Sequence, residues 1–245
     1  MDGKKIKTIF IHHSTGANLI NQGNIRKNLQ REGSNIQFWD HGYSYSPLID
    51  RLYSFFYPHI AGLSDFNGNQ TGIDYHINIT NTDPQGYEDL FKQSPTNHAL
   101  DQILTYEVII FKSCFPVTKI TSDKKLEKYK QNYASIRKTI DKLPDKLFIL
   151  FTPPPLRSSM TKPDYANRAR IYSQWMKSNE YIQQRKNVVV FDFFDLLANK
   201  ENVLKSDYCH FLPFDSHPNK QTNEKIGPIF VDFLIKTTQG FFNQM

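Results

Sequence analysis

With 245 residues, 39% of them hydrophobic, the chain has material for one sizeable α/β domain and less than two comfortable domains need. Its formal charge of +6 comes from Lys and Arg scattered among Asp and Glu, and the densest cluster, Lys124 to Lys130, contains Glu127 and reads as a solvated helix face, so nucleic acid is not an expected partner. Two cysteines, Cys114 and Cys209, exclude a disulfide framework and form no CxxC metal pair, and no apolar run approaches the roughly 20 residues of a membrane span.

Met1 to Lys7 lead straight into an apolar run, Ile6 to Ile11, leaving no room for a signal peptide. As it stands the sequence is expected in the cytoplasm, with export open if an upstream segment was removed. That run is the first predicted strand, and after it His12-His13-Ser14-Thr15-Gly16-Ala17-Asn18-Leu19 turns from apolar to small and polar before a helix begins. In an open parallel sheet, ligands bind beyond the carboxyl ends of strands, so Ser14 stands where a reacting group is useful. A helix starting there aims its N–H groups at a developing anion. The ordinary fate of Ser14 or Thr15 at this place is to cap the helix, and position alone leaves cap and nucleophile both open. His12 and His13 are adjacent, so on a strand they face opposite sides and cannot readily share a metal ion. Asn18 falls in the first helical turn, where a local hydrogen bond is expected ahead of a direct oxyanion role.

A weaker strand, Ile36 to Trp39, precedes Asp40-His41-Gly42-Tyr43. Pro47 to Gly86 then carries Asn, Gly, Asp, Tyr and Phe without a sustained period. It is either a substrate-facing insertion or a helix near Ile49 to Tyr57 followed by surface loop. The Asn78-Ile79-Thr80 sequon within it matters only in a secreted, glycosylated chain.

Glu107 to Phe111, Leu147 to Phe151 and Val188 to Phe193 complete the strands, each nearly continuous in apolar character as parallel strands covered on both faces are. Between them, Leu126, Tyr129, Tyr133, Ile136, Ile140 and Leu143 form a helical stripe that Pro144 should stop. Ala169, Tyr172, Trp175 and Met176 form another, and Ile226, Ile229, Phe230, Phe233 and Leu234 a closing one. Strands alternating with helices imply right-handed βαβ crossovers. The expected fold is a three-layer α/β/α sandwich on a parallel five-stranded sheet, a single domain over residues 1–245 with an irregular insertion at about 47–86.

Ahead of the last helix stands Phe214-Asp215-Ser216-His217-Pro218-Asn219. A serine hydroxyl needs a base, an imidazole serves near neutral pH, and a carboxylate on the other ring nitrogen holds the tautomer. Asp215 and His217, two apart in a turn, can supply both; an Asp turn before a helix start is the plain alternative. Asp207-Tyr208-Cys209-His210 is a competing pair that lacks the Pro-Asn and helix pattern behind it. Cys114 is a second candidate nucleophile for His217, or an inert buried thiol.

Ser14 in a strand-to-helix turn after the first strand, with Asp215 and His217 in a C-terminal block running into Pro218-Asn219, resembles the SGNH (GDSL-like) hydrolases over almost the whole chain. The resemblance implies a flavodoxin-like sandwich and a serine esterase working through an acyl-enzyme, with Ser14, Asp215 and His217 catalytic and no metal or organic cofactor. It also implies an oxyanion hole of the Ser14 and Gly42 N–H groups, Gly42 matching a glycine that serves this purpose in the family; the asparagine whose side-chain amide completes it there is absent, and Ser113 by hydroxyl or N–H, or Lys112 by charge, is the expected substitute. Thr152-Pro153-Pro154-Pro155 is similar to the proline-rich turn common there. The sequence departs from the pattern in three places. His12-His13-Ser14 replaces Gly-Asp-Ser. Asp-x-His replaces the commoner Asp-x-x-His, a spacing also found among relatives acting on polysaccharide acetyl groups. Lys112-Ser113-Cys114-Phe115-Pro116 stands where the family keeps Gly-x-Asn-Asp. His13, Lys112 and Cys114 are therefore candidate substrate-binding residues. The expected substrate is a small acyl ester, such as an acetyl group on a carbohydrate; an acyltransferase with the same three residues and a non-catalytic anion- or sugar-binding module remain as alternatives.

Overall fold

The computed structural model describes residues 4–43, 61–77, 83–92 and 98–244. The β-branched and aromatic runs form strands β1 (Ile6–His12), β2 (Ile36–Gly42), β4 (Val108–Phe111), β5 (Leu147–Phe151) and β6 (Val188–Phe191), all mutually parallel. The five-strand expectation needs one correction. A sixth strand, β3 (Gly62–Ser64), pairs antiparallel with the end of β2, giving the order β3-β2-β1-β4-β5-β6. Three residues are too short to show a period, so β3 is invisible within the stretch 47–86. The candidate helix Ile49 to Tyr57 and the Asn78 sequon lie outside the described residues.

Because successive strand residues point to opposite faces, the sheet divides the core in two. Ile9, Ile11, Ile109, Phe111, Phe148 and Leu150 face one side. They are covered by helices α3 (Pro84–Phe91), α4 (Ala99–Ile103), α5 (Asp123–Ile140), α6 (Pro163–Lys177) and α7 (Asn179–Ile182). Phe10, Phe38, Ile110, Ile149, Phe151 and Phe191 face the other, under α1 (Ser14–Gln22), α2 (Ile25–Arg31), α8 (Phe193–Leu197) and α9 (Lys220–Phe242). The layers are helix, sheet, helix.

Local chemistry sets several boundaries away from the expected ones. Ser122 caps α5 by accepting from the Lys125 N–H at 3.2 Å, and the helix ends at Ile140, before Pro144 is reached. Asp192 accepts from the Asp195 N–H at 3.2 Å and opens α8, so Phe193 belongs to a helix and not to the last strand. Asn219 accepts from the Thr222 N–H at 3.0 Å and starts α9 directly behind His217. Helix α9 crosses the end of α1 at Gly227 and Gly23: a Cβ on Gly227 would stand 2.1 Å from the Gly23 carbonyl oxygen, so the two backbones touch. That contact sets the seat of α1, and with it the position of Ser14.

Candidate active site

The parallel order reverses on either side of β1, whose neighbours are β2 and β4, and the carboxyl ends of these strands border the crevice typical of such sheets. Ser14 stands there as the first residue of α1. The N-cap is His13, without a side-chain cap bond, and Gly16 and Ala17 donate to the His13 carbonyl at 2.8 and 3.0 Å. The Ser14 hydroxyl therefore does not cap the helix. It lies 2.7 Å from His217 Nε2, across 203 positions of sequence. His217 Nδ1 lies 2.5 Å from Asp215 Oδ1, which also accepts from the His217 backbone N–H at 2.8 Å. A carboxylate oxygen only accepts, so it holds the proton on Nδ1 and leaves Nε2 to accept from the serine. Ser14, Asp215 and His217 are 8%, 6% and 7% exposed, a setting in which hydrogen bonds of this kind act against little water.

The turn at Ser14 is tight. A Cβ on Gly16 would sit 2.3 Å from the His12 Cβ, so glycine lets α1 fold back over the strand that precedes it. His12 points to the α1 face, where its Nε2 meets Asp40 Oδ2 at 2.7 Å while Arg26 donates to Asp40 Oδ1. Burial raises the Asp40 pKa, but His12 and Arg26 outweigh it and hold the carboxyl below its ordinary value. Neighbouring His41 accepts from the Tyr75 N–H at 3.0 Å; burial lowers its pKa to about 4 against the opposing charge of Asp74. Gly42, registered opposite His12, thus ends a strand that is anchored on both faces. Tyr43 follows it, its N–H donating to the His12 carbonyl at 3.3 Å and its hydroxyl, with that of Tyr87, meeting the Lys112 carbonyl.

Lys112 is fully buried, and its ammonium donates to Thr15 Oγ1. Burial lowers its pKa to about 8. Cys114 Sγ lies 3.5 Å from Thr15 Oγ1 and 3.8 Å from Ser14 Oγ. Burial raises the thiol's pKa, but Lys112 and His217 outweigh that and bring it below its ordinary value. Cys114, and not Ser113, is thus the residue of this segment beside Ser14. The Ser113 hydroxyl is buried and turned toward the Tyr133 phenol. The Asn18 side-chain nitrogen is buried and unpartnered among the described residues, so the expected local bond is not made. His13, a candidate substrate contact in the sequence, places Nδ1 3.0 Å from Ser14 Oγ. Phe115 sets its ring edge-on to His217 at 4.9 Å between centroids.

The competing pair is not at the serine. His210 belongs to the loop that leads to Asp215, and its carbonyl accepts from Arg157 at 3.3 Å. Arg157 is the main support that sequence reasoning missed. Its guanidinium also donates to the carbonyls of Leu212 and, at 3.4 Å, Asp215, and its backbone N–H donates to Ser216 Oγ at 3.1 Å. The Ser159 hydroxyl donates to the Pro213 carbonyl at 2.6 Å. The available signal was position: Arg157 stands two residues after the Pro153-Pro154-Pro155 turn at the end of β5. Among the described residues there is no group of three or more His, Cys, Asp or Glu arranged to hold a metal ion, and no helix long and apolar enough to cross a membrane.

Neither a family model nor a curated protein matches the sequence. Solved structures do match over nearly the full length. One, designated an acylhydrolase, from Bacteroides fragilis, is 12% identical, with 96% of this chain and 90% of that chain covered and a TM-score of 0.54. A GDSL-like lipase from Bacteroides thetaiotaomicron is 9% identical, with 95% and 88% covered and a TM-score of 0.51. A protein described as lipolytic and of the G-D-S-L family, from Desulfitobacterium hafniense, is 13% identical, with 93% and 99% covered and a TM-score of 0.50. At these identities the likeness concerns architecture: the chain has the fold of the GDSL-like hydrolases.

Proposed function

We propose that the protein is a serine esterase that removes a small acyl group, such as acetyl, from a carbohydrate hydroxyl. The observation that carries this reading is the meeting of Ser14 Oγ, the His217 ring and the Asp215 carboxylate at 2.7 and 2.5 Å. Ser14 attacks the ester carbonyl while His217 Nε2 takes its proton, and the same nitrogen returns that proton to the departing alcohol. Water then repeats the sequence against the acyl-enzyme, with His217 again as base. Asp215 holds the ring in the required tautomer and stabilises the imidazolium. The N–H group of Ser14 is the proposed donor to the oxyanion, because N–H groups in the opening turn of a helix have no acceptor within it; the Gly42 N–H, expected in the same role, faces Gly62 across the β2–β3 pairing. The carbohydrate acceptor is supported only by the short Asp-x-His spacing, and the small acyl group by the buried setting of Ser14.

Labelling by a fluorophosphonate tests the assignment, with turnover of p-nitrophenyl acetate and of acetylated xylan measured alongside. An adduct on Ser14, and loss of both label and turnover in Ser14→Ala, is expected; an unlabelled folded protein whose ester turnover survives Ser14→Ala removes the reading. A non-catalytic binding module is favoured by one observation, the thiol of Cys114 standing beside Ser14 where the family pattern has asparagine. It predicts ligand binding that persists in His217→Ala and no ester turnover at all.

A further inference from the structure

We propose that His13 is a catalytic residue, donating from Nδ1–H to the ester carbonyl oxygen as that oxygen becomes an anion. This rests on Ser14 being the nucleophile and adds a side-chain donor to the oxyanion beside the backbone N–H proposed above.

The argument is a proton count. Two ring nitrogens converge on one hydroxyl: His217 Nε2 at 2.7 Å and His13 Nδ1 at 3.0 Å from Ser14 Oγ. A hydroxyl brings one proton. Asp215 keeps the His217 proton on Nδ1, so Nε2 is bare and takes the serine's. The nitrogen of His13 then faces lone pairs of Oγ, and a bare nitrogen there would set lone pair against lone pair. His13 Nδ1 therefore carries its own hydrogen and donates it to Oγ.

The rest of the ring's setting fits a donor and not a base. Burial, then the charge of Lys112, then His12 and His217, lower the His13 pKa to about 3, so the ring is neutral at any physiological pH. A ring so weakly basic is a poor acceptor for the serine proton. A neutral imidazole with a depressed pKa is suited to polarising a carbonyl without protonating it. The Tyr43 ring, 5.9 Å away and tilted by 33°, lies beside it.

Attack changes what Nδ1–H faces. The Oγ lone pair becomes the new C–O bond, the carbonyl π pair moves onto its oxygen, and the Oγ proton passes to His217 Nε2. An oxygen bound to the same carbon as Oγ lies within reach of the hydrogen that Oγ no longer holds well. On collapse the π bond re-forms and the alcohol leaves with the proton from His217. His13 keeps its proton throughout, and the interaction strengthens only where charge develops, as a catalytic interaction must.

The test compares His13→Leu with His13→Asn, whose side-chain amide nitrogen can take the place of Nδ1, using p-nitrophenyl acetate and fluorophosphonate labelling. Loss of one oxyanion donor is expected to lower kcat in His13→Leu about 10²- to 10³-fold with KM nearly unchanged. His13→Asn should recover at least about tenfold of that, because it restores the hydrogen and not the ring. His13→Ala replaces the leucine variant if that chain does not fold. Wild-type kcat in the apolar variant, or an asparagine variant no better than it, overturns the proposal. Failure of the underlying reading has a different signature: the wild type itself takes no label and Ser14→Ala turns over ester normally.

Discussion

The two segments that meet at the candidate site are supported in opposite ways. The turn at Ser14 is an extension of the core. It is continuous with β1, backed by α1, and packed through Gly16 against His12 and through Thr15 against the buried Lys112. The loop from Cys209 to His217 has no strand or helix of its own over that span. It is shaped mainly by polar contacts, the Arg157 guanidinium on three of its carbonyls, the Ser159 hydroxyl on a fourth and the Asn219 side-chain amide on that of Cys209. A nucleophile needs a fixed position on a rigid element. A base needs orientation, and a few charge-assisted hydrogen bonds to backbone provide it without a hydrophobic core. Damage to the packing behind the first segment should therefore appear as lost stability, and damage to the contacts that hold the second as lost rate.

The sharpest break of this contrast is Asp215→Asn, which keeps the loop's shape and removes the group that sets the tautomer of His217. Turnover is expected to fall by about 10⁴ with a nearly unchanged melting temperature, measured by ester hydrolysis and thermal unfolding. A loss under about tenfold would leave His217 without its assigned partner.

On the other side, Gly16→Ala inserts a Cβ where 2.3 Å is available to the His12 Cβ. It should destabilise the fold by about 3 kcal/mol in urea unfolding, the upper end of what overpacking costs, because neither backbone can retreat from the strand. An alanine variant of native stability would show the turn to be softer than its contacts imply.

Arg157→Ala sharpens the comparison from the loop side. Misplacing His217 by about 1 Å is expected to lower kcat tenfold to a hundredfold while KM and unfolding midpoint stay close to wild type. Added guanidinium at millimolar concentration should restore part of the rate. An equal loss of stability and rate, with no rescue, would make Arg157 an ordinary core support.

The smallest expected effect belongs to Lys112, whose pKa of about 8 lies below the ordinary lysine value of 10.5 because it is buried. Between these values the unfolded chain holds a proton that the folded chain has released, so stability rises with pH across that window. Below pH 8 both states are protonated and the folded state bears the whole cost of burying the charge. Lys112→Met should accordingly stabilise the protein at pH 7 by at most about 2 kcal/mol, after loss of the bond to Thr15, and the gain should shrink toward pH 10. A pH-independent difference between the two chains would contradict a buried ammonium.

Much of the fold could be read from the chain because its signals are local. Ile109, Phe111, Phe148 and Leu150 sit in unbroken apolar runs, and both faces of the sheet are indeed covered. Tyr129, Tyr133 and Ile136 keep helical spacing and pack against the sheet as that spacing requires. Strand β3 was missed because three residues carry no period, and Phe193 was misplaced because the Asp192 cap outweighs the β preference of an apolar run. In the site, Ser14, Asp215 and His217 stood out through their flanking residues. Arg157 and the approach of Cys114 to Ser14 did not, since neither a guanidinium on carbonyls nor a thiol beside a hydroxyl leaves a pattern along the chain.

By itself the sequence determined the alternation of strands and helices and which side chains bear reactive groups, since apolar period and residue chemistry are properties of short segments. Only the tertiary structure decided that Ser14 and His217, 203 positions apart, share a hydrogen bond, that Lys112 is buried, and that two imidazoles face one hydroxyl. The physical reason is that these depend on how strand ends line up and how deeply a charge is covered. Both are set by the packing of distant elements across the sheet.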